Sequence, residues 1–312
     1  MNLRISTAPH IHHPITTQRL MLYVIMALLP TTAVGIYAFG LPAAILLAIS
    51  CVTAVLCEFV WQKIARKPVR IGDLSALVTG LIIGLNLPAN APWWIAMIGS
   101  AFAVLIVKQL FGGLGDNFLN PAMAARAVLL ASWPVHMTSY VVPTFFDAGV
   151  DAVTAATPLA TAAQNAPAQL MDLFMGNIPG CIGEVSKLAI LLGLVILLVT
   201  KTVSWHIPFT MVASVFVFSW VLGADPVYAI LSGGVLFGAV FMATDYVTSP
   251  MTHVGQMIYA AGIGLIIVLI RNFGAYPEGV TYGILLMNIA TPLIDRFLPR
   301  KLYGYQKEAK QA

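Results

Sequence analysis

Ten apolar segments, each close to the length of a membrane-spanning helix, constrain this chain more than any other feature of its sequence. A helix needs about 20 apolar residues to cross a bilayer. Hydrophobic residues make up 59% of the chain and charged residues only 9%, whereas a soluble domain carries roughly 25% charged residues. The sequence therefore predicts an all-α polytopic membrane protein with about ten transmembrane helices and excludes a water-soluble globular domain. The predicted spans are residues 20–38, 41–61, 74–90, 94–111, 121–133, 186–203, 206–222, 226–243, 256–273 and 280–298.

The basic residues predict how these spans are oriented. Short loops rich in Lys and Arg remain on the cytoplasmic side of the membrane, and the loop KIARKPVR at residues 63–70 is such a loop. Counting the spans from this loop places both termini in the cytoplasm and 13 of the 16 basic residues on that side; the exceptions are Arg126, Lys187 and Arg271. The long loop at 134–185, which contains no Lys or Arg, is then predicted to be external.

A short internal similarity divides the spans into two groups of five. The segment AFAVLIVKQLFGGLGDN (101–117) aligns with GIGLIIVLIRNFGAYPEG (262–279) when Phe111 is placed on Phe273. Because five is odd, the second group must enter the membrane in the opposite direction, which is the inverted-repeat arrangement of many transporters. The predicted organisation is a cytoplasmic N-terminal segment, a first transmembrane repeat, an external loop, a second transmembrane repeat and a cytoplasmic tail, at residues 1–19, 20–133, 134–185, 186–298 and 299–312.

Three polar interruptions fall within the apolar spans or at their ends. They are TGLIIGLNLPANAPWW (79–94), LFGGLGDNFLNPA (110–122) and FMATDYVTSPMTH (241–253). Backbone that leaves a helix at membrane depth must be satisfied by protein or must line a cavity. We therefore interpret their polar members Asn86, Asn120 and Asp245 as candidates for lining a cofactor or ion cavity. Ordinary loops at the membrane surface are the alternative.

Ionisable side chains at membrane depth are costly and usually have a partner. Glu58 lies about one turn from Lys63 near the predicted cytoplasmic face, so we expect these two side chains to pair. Arg126 lies deeper in its span, where it could meet either an anionic cofactor group or a carboxylate. The sequence holds no pattern that predicts a metal site.

The external loop contains the stretch DAVTAATPL, which begins at Asp151. Pro158 favours an extended backbone at the residue before it, Thr157. The neighbouring alanines leave that threonine accessible. The residues alone therefore predict an accessible threonine in a loop of small side chains and nothing more specific.

Five motifs, in their order along the chain, resemble those of the family of D subunits of the Rnf complexes, the ion-translocating ferredoxin:NAD oxidoreductases. They are SALVTGLIIGLNLPANAPWW, LFGGLGDNFLNPA, DAVTAATPL, FMATDYVTSPMT and IRNFGAYPEGVTYGILLMNIATPLIDR. The chain is more distantly similar to the B subunit of the sodium-pumping NADH:quinone reductase, which carries a longer N-terminal extension.

The resemblance implies a flavoprotein. In that family a separate flavin transferase joins FMN through its phosphate to a threonine hydroxyl, and the matching position here is Thr157. Asp151 and Thr154 complete the acceptor motif, and Ala155 stands where family members often have Gly. A second flavin, a non-covalent riboflavin, is implied within the membrane part, and the three polar interruptions are the natural places for it.

The resemblance also implies the function and the partners. The chain would be an electron-transfer subunit in the bacterial cytoplasmic membrane, inactive alone, of a complex that couples ferredoxin:NAD⁺ oxidoreduction to the movement of Na⁺ or H⁺. Its partners would be the A, B, C, E and G subunits of Rnf, with iron–sulfur and flavin centres, and no nucleic acid. Two alternatives are a subunit of the quinone reductase, and a solute channel or carrier that is built on the same inverted repeat and holds no flavin.

Overall fold

The computed structural model describes residues 15–143, 145, 154–155, 170–274 and 279–299. Within these ranges the chain forms thirteen α-helices, two π-helical segments and one short pair of strands. The helices are α1 (Thr17–Phe39), α2 (Leu41–Ile64), α3 (Ser75–Leu85), α4 (Trp93–Ala101), α5 (Pro121–Ser132), α6 (Pro134–Thr138), α7 (Leu170–Met175), α8 (Lys187–Val199), α9 (His206–Val221), α10 (Pro226–Leu231), α11 (Val235–Phe237), α12 (His253–Phe273) and α13 (Val280–Phe297). The π-helical segments are Phe102–Gln109, which continues α4, and Gly238–Met242, which continues α11.

Every segment that the sequence predicts as a span contains helix, which confirms the helical part of the prediction. Three helices, α1, α2 and α12, are long and apolar enough to cross a membrane, judged by length and composition. The shorter apolar helices are Ser75–Leu85, Trp93–Gln109, Pro121–Ser132, Lys187–Val199 and His206–Val221. The number of membrane crossings, their orientation and the inverted repeat stay predictions.

Two spans differ from their predicted extent because their helices break. The third, 74–90, contains the polar interruption from which an unwinding at residues 86–88 is expected; α3 ends at Leu85 and the chain leaves the helix at Asn86. The eighth was expected to run without interruption from 226 to 243, but α10 ends at Leu231 and α11 begins only at Val235. Gly233 lies in this gap with a φ of 63°, in the left-handed region that glycine adopts without strain.

Side-chain caps fix where several helices begin. An N-cap oxygen accepts a hydrogen bond from one of the first backbone N–H groups, which have no partner inside the helix. Ser186 caps α8, Asp225 caps α10 and Thr252 caps α12 in this way. Asn120 does the same for α5, with Pro121 at the first helical position, where a proline fits well.

Small residues bring two helix pairs into close contact. On α3, Gly80 and Gly84 face α2; a Cβ added at Gly80 would lie 2.7 Å from the backbone oxygen of Ser50. On α12, Gly264 faces α9, and a Cβ there would overlap the Ser214 Oγ. Close approach through small residues is a usual way to pack helices in lipid, where hydrophobic burial gives little driving force.

The predicted external loop has more structure than a purely helical fold implies. Strand β1 (Tyr140–Val141) pairs antiparallel with strand β2 (Thr154–Ala155), so that Val141 is opposite Thr154. Near its end the loop turns inward. The N–H of Gly183 donates to the oxygen of Leu85, the last residue of α3, at 2.7 Å. The backbone carbonyl of Leu85, at the end of the broken helix α3, therefore accepts a hydrogen bond from this loop.

Candidate functional site

A cavity lies between α1, α3, the start of α5, the end of α8 and the segment 240–247. We call it the central cavity. Its empty volume, which includes the open solvent space at its mouth, is about 790 Å³. Most of its wall is apolar, and its polar lining side chains are Ser75, Thr79, Lys108, Asn117, Asn120, Thr244 and Asp245. Residues of the second and third polar interruptions of the sequence therefore line one cavity; that this cavity holds a cofactor or an ion stays a prediction.

Asn120 joins these two interruptions. Its side-chain oxygen accepts from the N–H groups of Ala122 and Met123 at 3.0 and 3.3 Å, which begins α5. Its Nδ2 donates to the oxygen of Met242 at 3.0 Å, at the end of the second π-helical segment. One buried amide thus accepts from backbone N–H groups at the start of α5 and donates to a backbone carbonyl at the end of the second π-helical segment.

Asp245 follows the second π-helical segment and is partly buried at the cavity wall. Its carboxylate accepts from the hydroxyl of Thr248 at 3.2 Å. Burial raises the pKa of the Asp245 carboxyl above its ordinary value, while hydrogen bonds from Thr248 and from the backbone of Val247 and Tyr246 oppose the rise. Among the side chains that the structure describes, no Lys or Arg lies within ion-pairing distance of Asp245.

Glu58 pairs with Lys108, and the expected pair with Lys63 is wrong. The Lys108 Nζ lies 3.0 and 3.1 Å from the two carboxylate oxygens of Glu58 and 2.6 Å from the Ser75 Oγ. Lys63 lies instead over the ring of Phe59. The reason is helical geometry: residues five apart do not share a helix face, whereas residues three or four apart do. Glu58 therefore faces inward while Lys63 faces outward.

The carboxylate of Glu58 is held by amides as well. Gln109 Nε2 donates to its Oε1 at 2.7 Å, and Gln62 Nε2 donates to the same oxygen at 3.2 Å. Both charged side chains are almost wholly buried, with 3% of Lys108 and 2% of Glu58 exposed. Charges can be buried in this way only when they are paired and hydrogen-bonded.

A second, more polar cavity lies on the other side of this ion pair. We call it the vestibule; its empty volume, open solvent included, is about 1,050 Å³. Its charged and amide lining side chains are the acids Glu58, Asp73 and Asp116, the bases Lys67 and Arg70, and the amides Gln62 and Gln109. Lys108 and Ser75 line the central cavity, whereas Glu58 and Gln109 line the vestibule. The Glu58–Lys108 pair is therefore part of the wall between the two cavities.

Asn86, the third predicted site residue, lies elsewhere. It lines a small cavity, about 270 Å³ in empty volume, together with Arg126, Glu184 and Arg271. Arg126 donates to the Asn86 oxygen through a short contact, and its Nη1 lies 3.3 Å from the Glu184 Oε1. Arg126 thus meets a carboxylate, which is one of the two partners expected for it.

The basic residues that the charge count assigns to the non-cytoplasmic side all belong to this region. Arg271 donates to the oxygens of Ala229 and Ser232, at the end of the broken helix α10. Lys187 donates to the oxygens of Glu184 and Gly233. These cations satisfy carbonyl groups that a helix break leaves without an intrahelical partner.

The flavin-acceptor motif is only partly described. Thr154 lies in β2, whereas Asp151 and Thr157 lie outside the described residues.

Sequence reasoning did not single out Lys108 or Glu184. Lys108 was visible as a basic residue at the end of an apolar run, and Glu184 was assigned to a solvated loop. Within the described ranges, no group of three or more His, Cys, Asp or Glu side chains could hold a metal ion.

Long apolar helices, buried ion pairs and an internal cavity with polar lining side chains define a polytopic membrane protein of the transporter or membrane-complex kind. Residues 4–304 match the model of the NQR2, RnfD, RnfE family, so the chain belongs to that family, which confirms the resemblance seen in its motifs. Its similar relatives include the D subunit of the Na(+)-translocating ferredoxin:NAD(+) oxidoreductase complex of Acetobacterium woodii, 50% identical over 100% of this chain and 98% of the relative. The D subunit of the proton-translocating ferredoxin:NAD(+) oxidoreductase complex of Clostridium ljungdahlii is 39% identical, over 97% of this chain and 96% of the relative. The D subunit of the ion-translocating oxidoreductase complex of Yersinia enterocolitica is 36% identical, over 99% of this chain and 100% of the relative.

Proposed function

We propose that this chain is the D subunit of an ion-translocating ferredoxin:NAD⁺ oxidoreductase complex of the bacterial cytoplasmic membrane, and that it carries flavin within that complex. The observation that carries the proposal is similarity over the full length to subunits of such complexes, at 36–50% identity. Because these relatives are subunits, the chain acts with partners that supply the other redox centres and is not active alone.

The central cavity suits a non-covalent flavin, riboflavin being the form expected of the family. A flavin ring needs an apolar surface on its faces and hydrogen-bonding groups at its pyrimidine edge. Apolar side chains such as Ile82 and Phe241 line the cavity beside the amides of Asn117 and Asn120 and the hydroxyl of Thr79. These residues would hold and orient the ring, and they would exclude bulk water from it. The flavin itself supplies the capacity to accept and donate electrons.

A second flavin, FMN, is proposed on the hydroxyl of Thr157 in the loop at 134–185, with Asp151 and Thr154 as part of the motif that the flavin transferase recognises. The motif itself supports this assignment, as does the predicted external position of the loop. Electrons would then cross the membrane between the two flavins and the iron–sulfur and flavin centres of the partner subunits.

The test of Thr157 uses the whole chain co-expressed with a flavin transferase. We expect a fluorescent band on a denaturing gel and a mass increase equal to FMN on the peptide that contains Thr157. Thr157→Ala should abolish both signals. Thr161→Ala, a matched change in the same loop, should keep them. Fluorescence that survives Thr157→Ala, or its absence from the unaltered chain, would refute the assignment.

Helix packing supports the proposed inverted repeat. The first helices of the two halves, α1 and α8, pack against each other. In the first half α2 packs against α4, and in the second half α9 packs against α12. Such a repeat would place cavities near the midplane, at the interface of the halves.

Asp245 and Glu58 are the proposed acids of the ion pathway, and either could serve Na⁺ or H⁺. A role as a solute carrier without flavin would instead predict transport by the isolated chain in liposomes. A quinone-reductase role would predict electron transfer to quinone by the purified complex, with no dependence on ferredoxin.

A further inference from the structure

The wall between the central cavity and the vestibule contains a single buried ion pair of the described chain. The Lys108 ammonium lines the central cavity and the Glu58 carboxylate lines the vestibule. A charge that enters one cavity is therefore close to one member of the pair, and a charge that enters the other cavity is close to the other member. Such an arrangement couples the contents of the two cavities electrostatically, because the pair is buried and its surroundings have a low effective dielectric constant.

The two members are not equally dependent on each other. Without the Lys108 ammonium, Glu58 would still accept hydrogen bonds from Gln62 and Gln109. Without Glu58, Lys108 would still donate to Ser75, whose hydroxyl lies on the central-cavity side. Each charge thus has partners on its own side of the wall, so the contact between them can open without leaving either group bare.

The backbone at Lys108 also favours movement. Lys108 and Gln109 end the π-helical segment Phe102–Gln109. A π-helical turn is wider than an α-helical one and is a less common conformation, found mostly at functional sites. A small change in this segment would shift the Lys108 side chain along the wall.

We propose that Lys108 is a movable charge that links reduction of the ligand in the central cavity to uptake of one cation from the vestibule. If a reduced iron–sulfur centre of a partner subunit delivered one electron to a ligand there, with no proton taken up by the ligand itself, the central cavity would gain one negative charge. This charge would attract the ammonium of Lys108 towards the central cavity and away from Glu58. The uncovered Glu58 carboxylate would then bind one monovalent cation, Na⁺ or H⁺, from the vestibule. One electron and one cation would enter, so the charge of the region would be unchanged.

This inference rests on the proposed function, because it takes a flavin as the ligand. In it Lys108 is a positioning residue and bonds covalently to nothing. The alternative is a fixed pair that only anchors α2 to the π-helical segment. A fixed pair predicts that the exposure of Glu58 to the vestibule is the same in the oxidised and the reduced complex.

The first experiment needs no substitution. The purified complex is treated with a hydrophobic carbodiimide, oxidised or reduced with dithionite, and modification of Glu58 is measured by peptide mass spectrometry. We expect reduction to raise the modification of Glu58 several-fold. The addition of NaCl, with choline chloride as the ionic-strength control, should suppress the increase if the cation is Na⁺; lowering the pH should change it if the cation is H⁺. Equal modification in the two redox states would overturn the proposal.

The second experiment measures the midpoint potential of the non-covalent flavin by spectroelectrochemistry at several Na⁺ concentrations and pH values. For one cation per electron, a tenfold change in cation concentration should change the reduced-to-oxidised ratio at fixed potential about tenfold, equivalent to about 59 mV. Because a flavin ring also takes up protons itself on reduction, the pH dependence is compared between variants. Lys108→Met should remove the Na⁺ dependence, or lower the pH dependence by about 59 mV per unit. Lys63→Met, which removes an equal charge from the outer face of α2, should change neither. Should Lys108→Met fold poorly, Glu58→Gln/Lys108→Met leaves no unpaired charge and should lose the dependence equally.

The outcomes separate this inference from the proposed function. If the complex lacks the spectrum of a non-covalent flavin, the proposed function and this inference both fail. If the spectrum is present but Lys108→Met shows the same cation dependence as the unaltered complex, this inference alone fails. A flavin potential that depends on neither Na⁺ nor pH in the unaltered complex also removes it.

Discussion

The buried ion pair makes a sharp prediction about stability. Lys108→Met removes the ammonium and leaves the Glu58 carboxylate buried with two amide donors, Gln62 and Gln109. Breaking a buried pair by removing one member costs about 3–5 kcal/mol. We expect the free energy of unfolding to fall by about 3 kcal/mol, the lower end of that range, because the amides still donate to the carboxylate.

Removal of both charges should cost much less. Glu58→Gln alone leaves the Lys108 ammonium buried without a negative charge, so we expect a loss similar to that of Lys108→Met. The double substitution leaves no unpaired charge, and replacing both members of a buried pair is often nearly neutral. We therefore expect it to lose only about 1–2 kcal/mol, so that the two single losses are strongly non-additive.

The assay is the apparent melting temperature of the detergent-solubilised protein at one heating rate. For a chain of this size about 1 kcal/mol corresponds to about 2 °C. Lys108→Met should therefore lower the melting temperature by about 6 °C, and the double variant should recover most of that loss. Lys63→Met is the matched control and should change little, because Lys63 contacts only an aromatic ring near the surface. Additive losses in the double variant would refute the view that these two charges depend on each other.

Two further predictions concern packing and charge. Gly80→Ala should destabilise the protein by about 1–3 kcal/mol through overpacking, because the new Cβ would lie 2.7 Å from the oxygen of Ser50, while Gly72→Ala, where nothing lies within 4 Å, should be nearly neutral in the same thermal assay. Asp245→Asn should stabilise the protein at neutral pH, because a carboxyl whose pKa is raised by burial lowers the stability of the fold as the pH rises from the ordinary value of 3.8 through the raised value. The difference in melting temperature between Asp245→Asn and the unaltered chain should disappear at pH below 3.8; a difference that is constant over the acid range would contradict the role of burial.

The elements that the sequence predicted well are those with a local cause. Apolar runs located the longer helices, because burial in lipid leaves the backbone no other regular structure than a helix; the short helices α6 and α7, within the predicted loop at 134–185, were not predicted. The polar interruption at Asn86 marked the end of α3, which stops at Leu85. The gap around Gly233 was missed because its flanks are as apolar as the helices on either side.

The partners of the buried charges could not be predicted, because they depend on contacts far apart in the sequence. Glu58 and Lys108 are 50 positions apart, and Arg126 and Glu184 are 58 apart. Sequence reasoning paired Glu58 with its nearest basic neighbour, Lys63. It did not consider that five positions along a helix place two side chains on different faces.

The helix breaks and the buried charges have one physical explanation. A helix that stops inside an apolar region leaves N–H and C=O groups without partners, and these must be satisfied by protein. Asn120 satisfies such groups at the start of α5, and Arg271 does so at the end of α10. The basic residues that the charge count assigns to the non-cytoplasmic side therefore gather where helices break. In a related sequence, the same combination of a basic residue on the non-cytoplasmic side and a polar or glycine interruption would predict a buried cluster, even though neither feature predicts it alone.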